Sequence, residues 1–384
     1  MQRTGNTLQL LFFSWCALYA LTTGAGAAQT NAPVAPASKV QLETIAKGLE
    51  NPWGLEFLPD GRLLVTERPG RLRIVEKDGR LSKPIAGVPE VVAIAQGGLL
   101  DVVLARDFES SGLIFLSYSE PRGLLKNATA VARARLVMDG TSGRLEDVKV
   151  IFQQEPPARS FHHFGSRIVI APDDTLFVTT GDRYALRDEA QNPANHIGKV
   201  IHITADGAPA PGNPNLSGWD PKVWSIGHRN MQGAALHPET GALFTIEHGA
   251  RGGDELNLTQ PGKNYGWPVI TWGVDYTGLK IGEGTAKEGL EQPVYYWNPS
   301  IAVSGLALYT GTLFPHWKGN IFVGALNGAH LERLVIDGDT VVAHERLLTD
   351  LGERIRDVRQ GPDGALWLLT DSDNGRVLRL TPAE

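Results

Sequence analysis

Three groups of side chains in this sequence have the types and spacing to do chemistry. The first is a histidine pair, His162 and His163 in FHHFGSR, followed by Asp182 in TTGDR. An imidazole titrates near neutral pH, which suits it to moving a proton in catalysis. Asp182 could accept a hydrogen bond from His163 and orient it as a base; after TTG it could equally be a turn residue. The second group is cationic and amide-bearing: Gln96 in AQGGLLD, Arg229 and Asn230 in GHRNMQG, and Arg354 and Arg356 in ERIRDVR. Such a set suits an anionic ligand, although the last two arginines could also form a solvated strand edge with Asp357. The third group is HGARGGDELNLTQPGKNYGWP, residues 248–268, with five glycines and two prolines. That stretch cannot be a long helix and is too polar for a buried strand. Taken alone, its Asp254–Glu255 pair reads as a solvated strand start.

These residues lie far apart in the chain, so a fold must gather them. Apolar residues make up 42% of the 384 and charged residues 20%, while Gly (44) and Pro (24) are abundant. That balance favours short strands and many turns. One pattern, an apolar strand, a turn usually carrying Pro or Gly, and a second apolar strand, begins at Gly54, Gly98, Arg167, Gly233, Gly305 and Val358. Six such units predict an all-β, six-bladed β-propeller with four-stranded antiparallel blades around a central channel. A large sandwich or two barrels would not require repeats of this form. VQLETIAKGL, before the first unit, can close the ring against the C-terminal RVLRLTP. In a propeller, polar residues at equivalent ends of successive units converge on one mouth. His162, one residue before His163, is expected to point to the opposite side if both lie on a strand.

The N-terminus reads as an export signal over residues 1–28, with Arg3, the apolar run LQLLFFSWCALYAL and the small-residue TTGAGAAQT. A flexible Ala/Pro linker (29–38) and a single propeller domain (39–384) are expected to follow. The only cysteine, Cys16, falls in the signal, and FSWC matches a lipidation site poorly. The chain beyond it has no thiol nucleophile, no disulfide and no cysteine-ligated metal. The net charge of -6 becomes -7 once the first 28 residues, carrying Arg3 and no acid, are removed. With no basic patch or tail, nucleic acid is not expected as a partner, and the apolar run is short for membrane insertion.

The motifs QGGLLDV, HFGSR, WSIGHRNMQG, EHGARGGDELNL, GKNYGWP and RIRDVR, in that order, resemble the soluble aldose sugar dehydrogenases. These are periplasmic quinoproteins related to soluble glucose dehydrogenase, six-bladed propellers that hold pyrroloquinoline quinone (PQQ) and calcium. The resemblance runs from about residue 51 to 381. It implies an exported enzyme oxidising the C1 hydroxyl of aldoses to lactones, with His163 as base, hydride passing to the quinone and Arg229 stabilising the charge that develops there. Gln96, Arg229, Asn230, Tyr276, Ala325, Arg354 and Arg356 are implied around PQQ. The carbonyls of Gly249 and Ala250 are implied at a calcium shared with the cofactor, and the Glu255 carboxylate and Tyr265 carbonyl at a second, structural calcium. Hard cations take several oxygens of this kind, and a glycine-rich loop can turn its carbonyls inward.

Two positions depart from the family. Ala250 stands where Pro is frequent, and after FVGAL the usual Lys is replaced by Asn327, removing a cation from the cofactor. Trp272, Tyr276, Tyr295, Tyr296 and Trp297 could stack on sugars or simply pack the blades. Two other readings stay open: a calcium-dependent propeller lactonase, with its metal held on the axis by carboxylates and Asn from several blades, and a non-catalytic propeller. The family expectation covers an aldose substrate and an external electron acceptor; the chain could be a monomer or a homodimer.

Overall fold

The computed structural model describes residues 28–383; all but the last residue of the expected export signal lies outside the described residues. Six antiparallel sheets are arranged in a ring, and each inner strand opens one of the repeat units. The inner strands are Pro52–Phe57, Leu99–Leu104, Gly165–Ile170, Met231–Leu236, Val303–Leu308 and Ile355–Gln360. Each packs against the next, and the sixth against the first. The sixth blade closes the ring as expected: Val40–Leu49 pairs antiparallel with Gly375–Pro382, from Val40 opposite Pro382 to Leu49 opposite Gly375. Among the described residues helix is confined to Phe108–Ser111 and two 3-10 segments, Arg187–Gln191 and Pro315–Trp317. No helix there is long and apolar enough to cross a membrane.

The alternating apolar side chains fill the gaps between neighbouring blades. One cluster joins Leu64, Leu72 and Ile74 of the first blade to Val102, Leu116 and Ala132 of the second. Five further clusters fill the remaining gaps. Each fully buried Leu or Ile contributes about 1.5–3 kcal/mol relative to exposure, so the six gaps hold the ring together.

The six-bladed propeller stands as expected, and two of its particulars were not visible in the sequence. Five blades have four strands, but the first has only three, Pro52–Phe57, Leu63–Glu67 and Arg71–Val75. Its outer edge is finished by residues 81–86. There the main-chain N–H groups of Ser82 and Ile85 bond to Ile74 and Leu72, while the Ser82 hydroxyl accepts the Ile74 N–H. Pro84 lacks an N–H, which keeps this segment from pairing as a regular strand. Residues 29–38, expected as a flexible linker, are strapped to the outside of blades four and five. Gln29 bonds both ways with the Val341 main chain, Ala35 and Pro33 with that of His344, and the Ser38 hydroxyl with Glu345. Ala32 and Ala35 are buried there. An Ala/Pro composition gives no periodic signal of such edge pairing.

Candidate active site

The mouth of the channel lies at the N-terminal ends of the inner strands. A cavity of about 570 Å3 opens there, lined from the start of every inner strand: Trp53, Leu100, Gly165, Gln232, Ala302 and Arg356 come one from each blade. Residues just past the second strands, Arg68, His248, Leu326 and Asp371, complete its wall. Every blade thus contributes its first strand's entry, and four of the six also the exit of the second strand. For that reason the polar residues at the repeat edges meet.

His163 sits on the loop before Gly165–Ile170 and not on a strand, with φ at 52°. The strand argument separating it from His162 therefore fails. The backbone turn still divides the two, leaving His163 buried and His162 exposed. Gly181 makes the turn possible, since a Cβ there would fall 2.0 Å from the His163 carbonyl oxygen. Gln96 fixes the same loop by accepting the His163 N–H at 2.8 Å.

Asp182 bonds to His163 as well as to the turn that follows it. Its Oδ1 lies 2.6 Å from His163 Nδ1 and also accepts the Tyr184 N–H at 2.7 Å. The Trp267 indole N–H donates to Oδ2 at 2.8 Å. The carboxylate therefore accepts a hydrogen bond from Nδ1–H, which leaves the lone pair on Nε2, an atom with no protein partner among the described residues. Burial pushes the imidazole pKa below its usual value, outweighing the opposing pull of Asp182, and Arg229 adds to the depression. Burial alone would raise Asp182, but the hydrogen bond from His163 and the nearby cations hold it below the ordinary range.

The stretch 248–268 supplies the support for this pair. Asn264 exchanges hydrogen bonds with Gln191, Tyr265 stacks on His228 at 4.7 Å, and Lys263 pairs with Glu291 at 2.9 Å. Those ties deliver Trp267 to Asp182, 85 positions earlier in the chain. The Arg229 guanidinium lies over the Trp267 ring at 5.2 Å and donates to the His248 carbonyl at 3.1 Å. Trp53, Arg68, Gln232, His248, Trp267 and Asp371 are site residues the sequence reading did not single out. Gln232, His248 and Trp267 carried a signal, through the motifs WSIGHRNMQG, EHGARGGDELNL and GKNYGWP.

Cations dominate the cavity wall. Arg354 and Arg356 share Asp371, at 2.8 and 3.0 Å, and Arg68 stands nearby. Although burial opposes it, the arginines hold Asp371 down to about 2. Burial depresses Arg356 itself. The Nε atoms of Arg68, Arg229 and Arg356 are buried without a hydrogen-bond partner, an arrangement that costs free energy unless a ligand supplies acceptors. A small, polar, multiply anionic molecule such as PQQ fits this donor set. Asn230 is fixed by Gly165 and Gln232 through its Oδ1, and its amide nitrogen makes no hydrogen bond among the described residues.

Of the other cofactor expectations, Tyr276 lies exposed on the loop 274–290, and Ala325 is buried within Ile321–Ala325. Neither is among the cavity-lining residues. Asn327 is exposed and bonds only to main-chain oxygens of Ser300 and Ile301. Trp272 stacks on Tyr296 at 4.1 Å, while Tyr295 and Trp297 are buried in the core between blades four and five. These are packing roles.

The acidic pair in DELNL is not solvated. Asp254 is fully buried and accepts from Gly249, Ser300 and Ala302. Glu255 is only partly accessible, and burial together with Glu247 pushes its carboxyl well above the usual range. Asn257 bridges Glu247 and Glu255 through its Nδ2, and its Oδ1 is buried without a partner. Two crowded carboxylates and an orphaned oxygen fit a hard divalent cation at Glu255. No cluster of three or more His, Cys, Asp or Glu side chains poised for a metal occurs among the described residues. Backbone carbonyls, such as those of Gly249, Ala250 and Tyr265, would have to complete any such shell.

Comparisons with known proteins agree with the fold. Residues 49–379 match the family model for glucose/sorbosone dehydrogenase. The chain is 45% identical over 353 residues to aldose sugar dehydrogenase YliI of Escherichia coli K12, covering 91% of this chain and 94% of that protein. It is 26% identical to quinoprotein glucose dehydrogenase B of Acinetobacter calcoaceticus, covering 86% of this chain and 85% of that one. The solved PQQ-bound form of an aldose sugar dehydrogenase from Streptomyces coelicolor superposes with a TM-score of 0.75 at 30% identity, covering 90% and 99% of the two chains.

Proposed function

The chain belongs to the glucose/sorbosone dehydrogenase family, and on that premise we propose that it oxidises the C1 hydroxyl of aldoses to lactones, with PQQ as cofactor, calcium as metal and His163 as base. The observation that carries the reading is the His163–Asp182 pair beside a cavity whose buried guanidinium N–H groups lack acceptors.

Asp182 holds the imidazole in the tautomer that presents Nε2 as a base. Burial and the charge of Arg229 keep that imidazole neutral, so it can accept the C1 hydroxyl proton. The imidazolium so formed lies against the Asp182 carboxylate, which offsets its new charge. Trp267 and the Tyr184 N–H hold the carboxylate in place. Arg229 is a fixed cation that stabilises negative charge developing beside it. Arg68, Arg354, Arg356, Asn230 and Gln96 would hold PQQ; Gly249, Ala250, Glu255 and Tyr265 would hold calcium. Bound PQQ supplies the two-electron acceptor that no side chain of this protein provides.

A lactonase would need carboxylates free to hold calcium on the axis. Here the axial acids Asp101 and Asp357 are already paired with Arg167 and Arg359. The N-terminal signal pattern supports a periplasmic location, with electrons passing to an external acceptor.

The test is reduction of a dye by glucose with the purified chain, run without additions, with calcium, and with calcium plus PQQ. Activity only with both, lost in His163→Ala, is the expected result. Absence of PQQ binding and of turnover with any aldose would remove the dehydrogenase reading.

A further inference from the structure

We propose that Tyr184 is the platform on which the sugar ring packs while its C1 hydroxyl meets His163. The proposal rests on the aldose reading above and names the residue that would recognise the ring.

Tyr184 stands beside His163 with the rings edge to face, 5.4 Å apart at 79°, and lies 6.0 Å from His162. It is 54% exposed, while the other aromatic residues of the neighbourhood, Phe164 and Trp267, are buried. Its hydroxyl makes no hydrogen bond among the described residues. A tyrosine kept for packing would bury its ring and bond its hydroxyl; this one does neither.

The backbone is built to hold it there. Arg183 and Tyr184 are consecutive non-glycine residues in the left-handed region, at φ 57° and 60°. That conformation is costly for large side chains and persists only where the surroundings enforce it. Two ties enforce it here. The Arg183 side chain turns inward, with its guanidinium 3.6 Å over the Phe164 ring and bonded to Asn127 and the Ser160 carbonyl. The Tyr184 N–H bonds to the same Asp182 oxygen that orients His163. The reversal buries one residue and presents the next, so base and ring are positioned by a single carboxylate. A pyranose has apolar C–H faces and a polar rim. An exposed, preorganised aromatic face next to the base matches the first and leaves the rim free for hydrogen bonds.

The experiment uses the chain loaded with PQQ and calcium, comparing Tyr184→Ala, Tyr184→Leu and Tyr184→Phe with the parent. Thermal unfolding serves as the folding control. The expected result is a KM for glucose raised about tenfold in the Ala and Leu variants, with kcat within about twofold. The Phe variant should match the parent, and the pH profile of kcat/KM should not move. Loss of KM with kcat retained marks binding shared by ground and transition states. An unchanged KM in Tyr184→Ala overturns the proposal, as does full rescue by Leu, which lacks an aromatic face. A shifted pH profile at unchanged KM would show that Tyr184 acts through His163 and would also overturn it. Should the loaded parent oxidise no aldose, the aldose reading falls and takes the platform with it; a working parent with indifferent variants sinks the platform alone.

Discussion

Two regions of this molecule concentrate arginines, and they treat them in opposite ways. On the channel axis, Arg167 and Arg359 face Asp101 and Asp357, two cations against two acids. Arg167 lies 2.8 Å from Asp101 and 3.1 Å from Asp357; Arg359 lies 3.0 and 3.1 Å from the same two. The remaining acid, Glu56, is pushed upward by burial, against the pull of Arg359. Arg167 Nη2 approaches Asp357 off the hydrogen-bond axis, so the contact there is Coulombic. At the mouth, Arg68, Arg354 and Arg356 share little more than Asp371, and the Nε atoms of Arg68, Arg229 and Arg356 have no acceptor. A balanced ionic ring plugs and shapes the propeller. An unbalanced one, held ready in a cavity, stores the means of binding an anion. The same residue type is thus paired with acids on the axis and left short of acceptors at the mouth, as the proposed anion site requires.

The contrast can be broken by mutation. The largest expected effect is on catalysis at the mouth: His163→Ala should lower kcat by about 10³-fold, with the unfolding midpoint nearly unchanged. Next comes Arg167→Met on the axis, which strands Asp101 and Asp357. Removing one partner of a buried pair costs about 3–5 kcal/mol, to be read from denaturant unfolding, and PQQ affinity should suffer only through that instability. Arg356→Met should do the reverse. It should weaken PQQ binding by about 10- to 100-fold, as expected for a charged hydrogen bond of about 1.5–3 kcal/mol, and destabilise the fold less than Arg167→Met, because Arg354 still pairs with Asp371. Equal destabilisation by both arginine substitutions would erase the distinction between the two regions.

Smaller effects sharpen it. Trp267→Phe removes one donor from Asp182 and should lower kcat by about three- to tenfold without changing PQQ affinity. For the pH dependence, the His163 pKa is depressed, so the base stays neutral down through the ordinary imidazole value of 6.5. Activity is present above the depressed pKa and is lost as pH falls through it. The acid limb of kcat/KM should therefore lie below pH 6.5, and in Arg229→Met it should move upward as the neighbouring positive charge is removed. An acid limb above 6.5 would contradict the assignment of cause.

Much of this was legible in the sequence, for reasons that can be named. The repeats starting at Gly54, Gly98, Arg167, Gly233, Gly305 and Val358 each begin on or beside an inner strand, because period-two apolar patterning is a local signal. His163, Asp182, Gln96, Asn230, Arg354 and Arg356 sit at repeat edges, and the propeller gathers such edges at one mouth. Contacts set by tertiary geometry were not legible. Trp267 reaches Asp182 from 85 positions away, and Arg68 and Asp371 resemble any charged strand end until the cavity is seen. Tyr276 was implied as a cofactor contact by the family resemblance but is 58% exposed on its loop. The missing fourth strand of the first blade depended on Pro84 and a serine hydroxyl acting as a main-chain substitute, neither of which disturbs the repeat pattern.

The most direct test of the central claim is a calorimetric titration of the purified chain with PQQ in the presence of calcium, repeated with Arg356→Met and with Arg359→Lys. The account predicts one PQQ bound per chain. Affinity should fall sharply when the mouth arginine is removed and change little when the axial cation is retained. Binding that is absent in the parent chain, or that ignores Arg356 and follows Arg359, would show that the unmatched arginines at the mouth are not there for the cofactor.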